Sequence, residues 1–421
     1  MDQSTGTMIE DLRNIGLFTA FLLFLSNGTL AFTPCRSRDC LFRATSNGRL
    51  VLQSTATRIK KAGGGVPIQP AGGRSLFDPA IEGKLGGTDN LDQRLIQGPS
   101  YFEPKSHYDN SAVAAKIEDA QHWLEDIGIP SNFAKPTQPV SATILGRARL
   151  IDESAPGDIQ HVVMKLPEGF NYVEGQSLSV IPPGVDEKGK SHKPRLYSIA
   201  STRYGDLLDG TTVSLCIRRA EYVDPVTGIV DSTKMGVCSN FLCDAKSGDT
   251  VQVAGPVGKT MLLPDDPTKD IIMVATGTGI APFRGFLHRL FMENTLARHM
   301  FSGRAWLILG VPVTGGLLYP HEITAMQANA VAGSLEITYA ISREMKNISG
   351  GKLYVQDVLA ERAEELFRRL DAGAVIYFCG LKGMMPGILE ALENVAQQRG
   401  IDWSVKLDDL KKNHQWHVEV Y

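Results

Sequence analysis

Cysteine is scarce in this chain: six residues among 421, at positions 35, 40, 216, 238, 243 and 379, with no C-x-x-C pair. That pattern excludes a zinc ribbon and a dithiol redox motif. A chain of this length buries enough core to need no disulfide staple, so the thiols are read as mostly reduced. Long apolar runs are missing as well. The most hydrophobic stretch, residues 15–25 (IGLFTAFLLFL), is too short to span a bilayer in the usual way. Neither sign of charge dominates, since 43 Lys and Arg stand against 46 Asp and Glu for a net charge of −3, so no nucleic-acid partner is expected. What is present is an ordinary globular balance, 43% hydrophobic and 21% charged, with room for two or three domains.

The first 61 residues read as an address. The apolar run is followed by TLA at 29–31, small residues before a possible cut ahead of Phe32, although Asp2, Glu10 and Asp11 outnumber Arg13 upstream. Residues 32–61 are rich in Arg, Ser and Thr with Asp39 as the single acid, which is transit-peptide composition. A signal segment over 1–31 followed by a transit segment over 32–61 resembles the bipartite leader of proteins sent to plastids of secondary endosymbiotic origin. A membrane-anchored amphipathic N-terminus is the alternative. Residues 62–135 then read as linker and extension, beginning with AGGGVPIQPAGGRS and carrying helical spacing over 111–128 that ends on Gly128 before Pro130.

From about Pro139 the texture changes to short β-like runs broken by Gly and Pro, spaced as in an antiparallel barrel or sandwich. After Pro267, apolar strands alternate with helical stretches, which means βαβ units and a mostly parallel sheet. The expected architecture is a β-barrel domain over 136–266 followed by an α/β nucleotide-binding domain over 267–421. At the junction of the first of these apolar strands with its helix, residues 271–286 (IIMVATGTGIAPFRGF) run from a buried strand through Gly277 and Gly279 into a helix opened by Pro282. Such a turn lets backbone N–H groups approach a pyrophosphate at a helix N-terminus. Its spacing is not G-x-G-x-x-G, and alone it is a weak signal.

Other stretches strengthen it. RLYSIAS (195–201), GVCSNFL (236–242), GTGIAPF (277–283), ISRE (341–344), CGLKGM (379–384) and the terminal VEVY occur in this order. Together they resemble plant-type ferredoxin–NADP reductases, over roughly residues 140–421. The resemblance implies that FAD is held by Arg195, Leu196, Tyr197 and Ser198, by Cys216 and Arg218, by Tyr222 on the adenine, by Gly236, Val237, Cys238 and Ser239 at the pyrophosphate, and by Tyr421. The residue chemistry agrees, because a planar heteroaromatic suits an aromatic face and a diphosphate suits a guanidinium fork. For NADP it implies Arg218, Thr278, Ser342, Arg343, Lys352, Tyr354, Gln356, Gly380, Leu381 and Glu419, with Gly277 lining the nicotinamide slot. Ser342, Arg343, Lys352 and Tyr354 form a donor set suited to a 2′-phosphate, so NADP is expected over NAD. Ser198, Cys379, Glu419 and Tyr421 would order the hydride path. As the last residue, Tyr421 would cover the flavin where nicotinamide must sit, and any extension would have to pass that slot.

The implied activity is electron transfer from reduced ferredoxin, or flavodoxin, through FAD to NADP⁺ in a plastid stroma, with loose attachment to thylakoids. The same enzyme run from NADPH to ferredoxin is the nearest alternative, and a thylakoid-docking flavoprotein is a non-enzymatic one. A diflavin reductase is disfavoured because no FMN domain fits into residues 62–135. The family pattern is departed from at Ala275, where Gly is common, at Arg218, where Lys is usual, and at Asp408 and Asp409, which dilute a basic C-terminal patch. An acidic electron carrier wants a basic surface. Residues 1–61 carry eight basic and four acidic side chains, which leaves the rest of the chain at −7. Attraction must therefore be local, with Arg147, Arg149, Lys188, Lys190, Lys193, Arg218, Arg219, Lys411 and Lys412 as candidates.

Overall fold

The computed structural model describes residues 127–421 except Asn294 and the side chain of Ser232, together with Leu124, Glu125 and the backbone of four strands between 20 and 54. The chain divides into two compact units, residues 1–67 and 68–421. In the first, β1 (Ala20–Ser26) pairs antiparallel with β2 (Thr29–Cys35), and β3 (Cys40–Ala44) with β4 (Leu50–Ser54). The two expected leader segments fall on this unit and otherwise lie outside the described residues. So does the expected 111–128 helix ahead of Leu124.

The second unit begins with six antiparallel strands: β5 (Val140–Arg149), β6 (Ile159–Lys165), β7 (Ser177–Ile181), β8 (Arg195–Ser198), β9 (Thr212–Arg218) and β10 (Thr250–Val257). Their order is β8-β7-β10-β5-β6-β9. Ile144, Val162, Leu178, Val213 and Val253 meet in one core beneath the sheet, closed at one side by Leu242 and Cys243 of α1 (Val237–Asp244). The sequence suggested a barrel, but no ladder closes the sheet. The two edge strands meet only at a single bridge, Ile199 to Leu215, just beyond the end of β8.

Five parallel strands follow: β11 (Ile271–Thr276), β12 (Ala305–Val311), β13 (Leu335–Ile341), β14 (Val375–Gly380) and β15 (Trp416–Val420), in the order β13-β12-β11-β14-β15. The three central strands, β11, β12 and β14, read as near-continuous apolar runs because helices cover both faces, whereas the edge strands β13 and β15 carry polar, half-buried positions. Side chains alternate accordingly, so that Ile271, Met273 and Ala275 enter one core and Ile272 and Val274 the other. The first face is covered by α2 (Ala281–Leu287), by the π-turn that continues it (His288–Met292) and by α4 (Pro320–Asn329), with the short α3 (Leu296–Met300) between them in sequence. The second is covered by α5 (Val355–Glu361), α6 (Ala363–Asp371), α7 (Met384–Gln398) and α8 (Trp403–Lys412).

The expected division at 266/267 lies in the segment between β10 and β11, and the sheets on either side of it share a core. Leu145, Leu150, Ile159 and Cys216 pack in one cluster with Ile271, Phe283, Phe286 and Tyr319. A buried ionic chain crosses the same junction. Arg284 of α2 donates to Glu322 of α4 at 2.7 Å and 3.1 Å, to Asp206 at 2.9 Å and to the Ala200 carbonyl at 2.9 Å. Asp206 in turn meets His161 of β6 at 2.7 Å, and the other ring nitrogen of His161 meets the Tyr319 hydroxyl at 3.0 Å.

Candidate functional site

The site begins where β11 turns into α2. Gly277 takes φ +53°, and the turn Gly277–Ile280 leads into a helix with Pro282 in its first turn. Close approach explains the neighbouring glycines. A Cβ on Gly279 would lie 2.0 Å from the Cys379 carbonyl oxygen, and one on Gly380, at φ +142°, would lie 2.2 Å from Thr276 Oγ1. The Leu381 N–H donates to that same Thr276 hydroxyl oxygen at 3.1 Å. The ends of β11 and β14 are thus interlocked with no room for side chains, which leaves backbone facing the space above them.

That space is a cleft of about 490 Å³ at the C-terminal ends of the parallel strands, where open α/β sheets bind ligands. Thr276, Gly277 and Thr278 form its floor. Ser342 and Arg343 follow β13, Tyr354 and Gln356 stand at the start of α5, and Leu381 and Tyr421 complete that side. Arg218, Ile151, Pro156 and Ile159 close it from the antiparallel sheet. The backbone fixes the polar pair, since Ser342 and Arg343 donate their N–H groups to the carbonyls of Val311 and Pro312 at 3.0 Å and 2.9 Å. Of the residues expected at the second nucleotide, three do not line the cleft: Lys352 is exposed on a bridge with Lys346, while Gly380 and Glu419 sit at the ends of β14 and β15 beside it. The apolar contributions of Ile151, Pro156 and Ile159 were not anticipated, because they come from a strand and loop about 120 residues before the glycine turn.

Beside the cleft, four side chains converge from two sheets. Cys379 and Glu419 are register partners in β14 and β15, and Ser177 and Ser198 are partners in β7 and β8. Glu419 Oε1 accepts from Ser177 Oγ at 2.7 Å and from Ser198 Oγ at 3.4 Å. Cys379 is fully buried, and burial pushes its thiol up to about 12 while the Ser198 hydroxyl hydrogen-bonds to it. It is therefore a neutral thiol at physiological pH, suited to packing against a ring and not to nucleophilic attack. Tyr421 extends β15: its N–H donates to the Gly380 carbonyl at 3.1 Å, its carbonyl accepts from Lys382 N–H at 2.9 Å, and its hydroxyl pairs with that of Thr278. The ring remains 58% exposed.

A second surface adjoins this cluster along β8. Arg195 and Leu196 are exposed, and the half-buried Tyr197 sets its hydroxyl against the Cys238 thiol. Burial pushes the Tyr197 phenol upward, so it stays protonated. Cys238 belongs to the first turn of α1, which starts at Gly236 without a side-chain cap. The N–H groups of Val237, Cys238 and Ser239 are those a helix start leaves for an external acceptor. Gly236 is required there, because a Cβ would fall 2.6 Å from that of Ala220. Tyr222 is exposed, with the Lys234 ammonium 4.4 Å from its ring centroid. Cys216 does not present its thiol to this surface: the thiol is buried, pushed up to about 12, and bonded to the Tyr319 hydroxyl.

The basic candidates divide. Arg147 is held by the Ala245 carbonyl at 3.0 Å and by Gln160, Arg149 by Asp158 at 3.2 Å, and Arg219 by Asp158 at 2.8 Å and Asp244 at 2.7 Å. These three are engaged within the fold and are withdrawn from the set of free surface cations. Lys188, Lys190, Lys193, Arg218, Lys411 and Lys412 remain exposed, Lys411 within 3.7 Å of Asp408.

An antiparallel sheet carrying the half-buried Tyr197 beside an uncapped helix start, joined to a parallel sheet whose largely apolar cleft holds Arg218 and Arg343, has the layout of a two-domain oxidoreductase. Residues 273–390 match the oxidoreductase NAD-binding domain family. Over 314 residues the chain is 53% identical to the root-type chloroplastic ferredoxin–NADP reductase of Nicotiana tabacum, covering 74% of this chain and 83% of that protein. It is 48% identical to the chloroplastic ferredoxin–NADP reductase of Chlamydomonas reinhardtii, covering 71% and 84%. Among solved structures, the Plasmodium falciparum ferredoxin–NADP⁺ reductase in complex with 2′P-AMP superposes with a TM-score of 0.54 at 25% identity, over 69% of this chain and 99% of that one. The chain belongs to the ferredoxin–NADP reductase family.

Proposed function

We propose that the protein is a plastid ferredoxin–NADP⁺ reductase that binds FAD along β8 and α1 and NADP(H) in the cleft above β11. The observation that carries this reading is the meeting of Ser198, Cys379, Glu419 and Tyr421 beside a cleft whose polar wall is Ser342, Arg343, Tyr354 and Arg218. FAD supplies the chemistry, taking electrons singly and giving them up as a pair to nicotinamide. The protein supplies positions. Tyr197 offers a ring face for the flavin, the helix start at Val237–Asp244 and Arg195 offer donors for the pyrophosphate, and Tyr222 offers a second ring for the adenine. The same placement supports reading the six-stranded sheet as a barrel pinned at the Ile199–Leu215 bridge.

Ser342, Arg343 and Tyr354 converge on one side of the cleft, where a 2′-phosphate finds charge-assisted donors. Each such bond contributes roughly 1.5–3 kcal/mol, so losing two costs about 3–6 kcal/mol, two to four decades of preference for NADP over NAD. Lys352 joins this set only if the 346–352 loop closes over the ligand. The exposed Lys188, Lys190, Lys193, Arg218 and Lys412 offer the local positive surface that an acidic ferredoxin, or flavodoxin, would meet. Several similar proteins are root isozymes, which supports NADPH-to-ferredoxin flow as a second reading beside photosynthetic NADPH production. Residues 1–61 support delivery through a two-part leader, and peripheral thylakoid attachment is the finer part of the same proposal.

The purified protein is expected to be yellow with an FAD spectrum and to oxidise NADPH at least 100-fold more efficiently than NADH with a ferredoxin-coupled acceptor, following roughly from the two lost hydrogen bonds. A colourless protein, or equal use of NADH, overturns the reading.

A further inference from the structure

Ser177, which no sequence motif singled out, reaches the same carboxylate oxygen as Ser198. The two serines stand opposite each other in the β7–β8 ladder, as Cys379 and Glu419 do in β14–β15, so two cross-strand pairs from different sheets face one another. The shorter bond is that of Ser177, at 2.7 Å against 3.4 Å. A hydroxyl–carboxylate bond at 2.7 Å is strong, and one at 3.4 Å is beyond the usual range. The carboxylate is therefore located by Ser177 and only brushed by Ser198.

Ser177 is itself held rigidly. It is 3% exposed, and it pairs with Val257 of β10 as well as with Ser198. The adjacent Gln176 amide donates to the carbonyls of Pro130 at 2.8 Å and Gly258 at 3.1 Å. Gly175, two residues before it, sits at φ +86° with the Met261 carbonyl oxygen 1.5 Å from where a Cβ would be. A donor on such a scaffold fixes its acceptor in space, which is what a positioning group must do.

We propose that Ser177 is a positioning residue for hydride transfer: it anchors the Glu419 carboxylate across the two sheets and thereby leaves the Ser198 hydroxyl free to turn toward the flavin and the Cys379 thiol. This rests on the assignment of Glu419 to the reaction centre. Losing the anchor lets the carboxylate swing and compete for Ser198, a fault of geometry in the reacting complex that leaves nucleotide binding alone.

The test uses the FAD-loaded full chain with NADPH and a ferredoxin-coupled acceptor. Ser177→Ala is expected to lower kcat about 10-fold with the NADPH KM changed less than about twofold and FAD content retained, a loss of one hydrogen bond to a charged group. Ser177→Thr, which keeps the hydroxyl, is expected to restore most of the rate. In a Glu419→Ala background, Ser177→Ala should change nothing further, because its target is gone. Should the alanine variant be unstable, Ser177→Cys, of similar size but a weak donor, is expected to show the same loss. If Glu419→Ala is damaging while Ser177→Ala and Ser177→Cys leave kcat intact, or if Ser177→Ala lowers kcat equally in the Glu419→Ala background, the positioning role is overturned and the site assignment stands. If Glu419→Ala itself leaves kcat unchanged, the site assignment falls and the Ser177 role falls with it.

Discussion

At Gly279 a single methyl group has no place to go. Its Cβ would stand 2.0 Å from the Cys379 carbonyl oxygen, whereas at Gly277, two residues earlier, nothing lies within 4 Å. The two glycines are therefore demanded for different reasons, contact at one and a positive φ at the other. Gly279→Ala must push β11 and β14 apart, and is expected to cost about 1–3 kcal/mol of stability and to raise the NADPH KM. Gly277→Ala should cost only about 1 kcal/mol, the price of left-handed backbone. Urea unfolding of both variants tests this, and equal losses would refute it. Tyr421 poses the opposite case of a ring tied at both backbone groups but left exposed. On the proposed assignment the ring covers the flavin, and its hydroxyl bond to Thr278 together with a stacking contribution of ~0.5–1.5 kcal/mol would be small enough for nicotinamide to displace. Tyr421→Ser is expected to tighten NADP⁺ binding severalfold, roughly the 2- to 10-fold that this energy represents, and to erode the preference over NAD. Titration of both coenzymes checks it, with unchanged dissociation constants as the contrary result.

Among the elements, α2 carries two tasks. Its N-terminus follows the glycine turn, and one turn later Arg284 reaches back to Asp206, Glu322 and the Ala200 carbonyl. Burial alone would raise the Glu322 carboxyl, but Arg284 and His288 hold it down at about 2. Burial of Asp206 is likewise overcome by Arg284 and His161, which keep it well below the ordinary carboxylate range. The element that shapes the cleft is thus locked to the antiparallel sheet through fully buried charge. Arg284→Met removes the cation and strands two carboxylates, with an expected destabilisation of about 3–5 kcal/mol. Adding Asp206→Asn and Glu322→Gln should return a large part of it, and failure of that rescue in thermal unfolding would contradict the account. This lock was invisible in the sequence, because residues 161, 206, 284 and 322 follow no common periodicity and meet only after both sheets have formed. What was legible was local: the RLYS strand, the GTGIAPF turn and the terminal strand each announce themselves within about ten residues. Ser177 was hidden for the same reason as the lock, since it reads as one more polar residue in GQSLSV until its register with Ser198 is known. Surface charge misled for a related reason. Arg147, Arg149 and Arg219 look free in the sequence but are bound by Asp158, Asp244, Gln160 and backbone carbonyls.

Over the whole molecule, buried acids of opposite behaviour set how stability follows pH. Glu293 lies in the interior with one oxygen accepting from the Thr202 hydroxyl, and burial, with Glu174 and Asp206 nearby, pushes it up to about 8. Glu174 is as deeply buried, yet Arg203 and Arg289 hold it down to about 2. The unfolded chain titrates each of these glutamates near the ordinary 4.5. For Glu293 the folded value is raised, so its contribution is fully present below 4.5 and is lost as pH rises through 8. For Glu174 and Glu322 the folded values are depressed, so theirs is present above 4.5 and is lost as pH falls toward 2. His288, lowered from 6.5 by burial and Arg284, adds a loss on the acid side below 6.5. Between pH 6.5 and 8, Glu293 is the one of these groups still changing, and stability should fall by about 2 kcal/mol across that window. Glu293→Gln is neutral at every pH, so it should flatten the curve between 6.5 and 8 while leaving the acid limb in place. Urea denaturation of the FAD-loaded protein at pH 5, 6.5 and 8 measures both slopes. A decline above pH 6.5 that persists in Glu293→Gln would show that the carboxyl is ionised in the folded protein and that some other group carries the pH response.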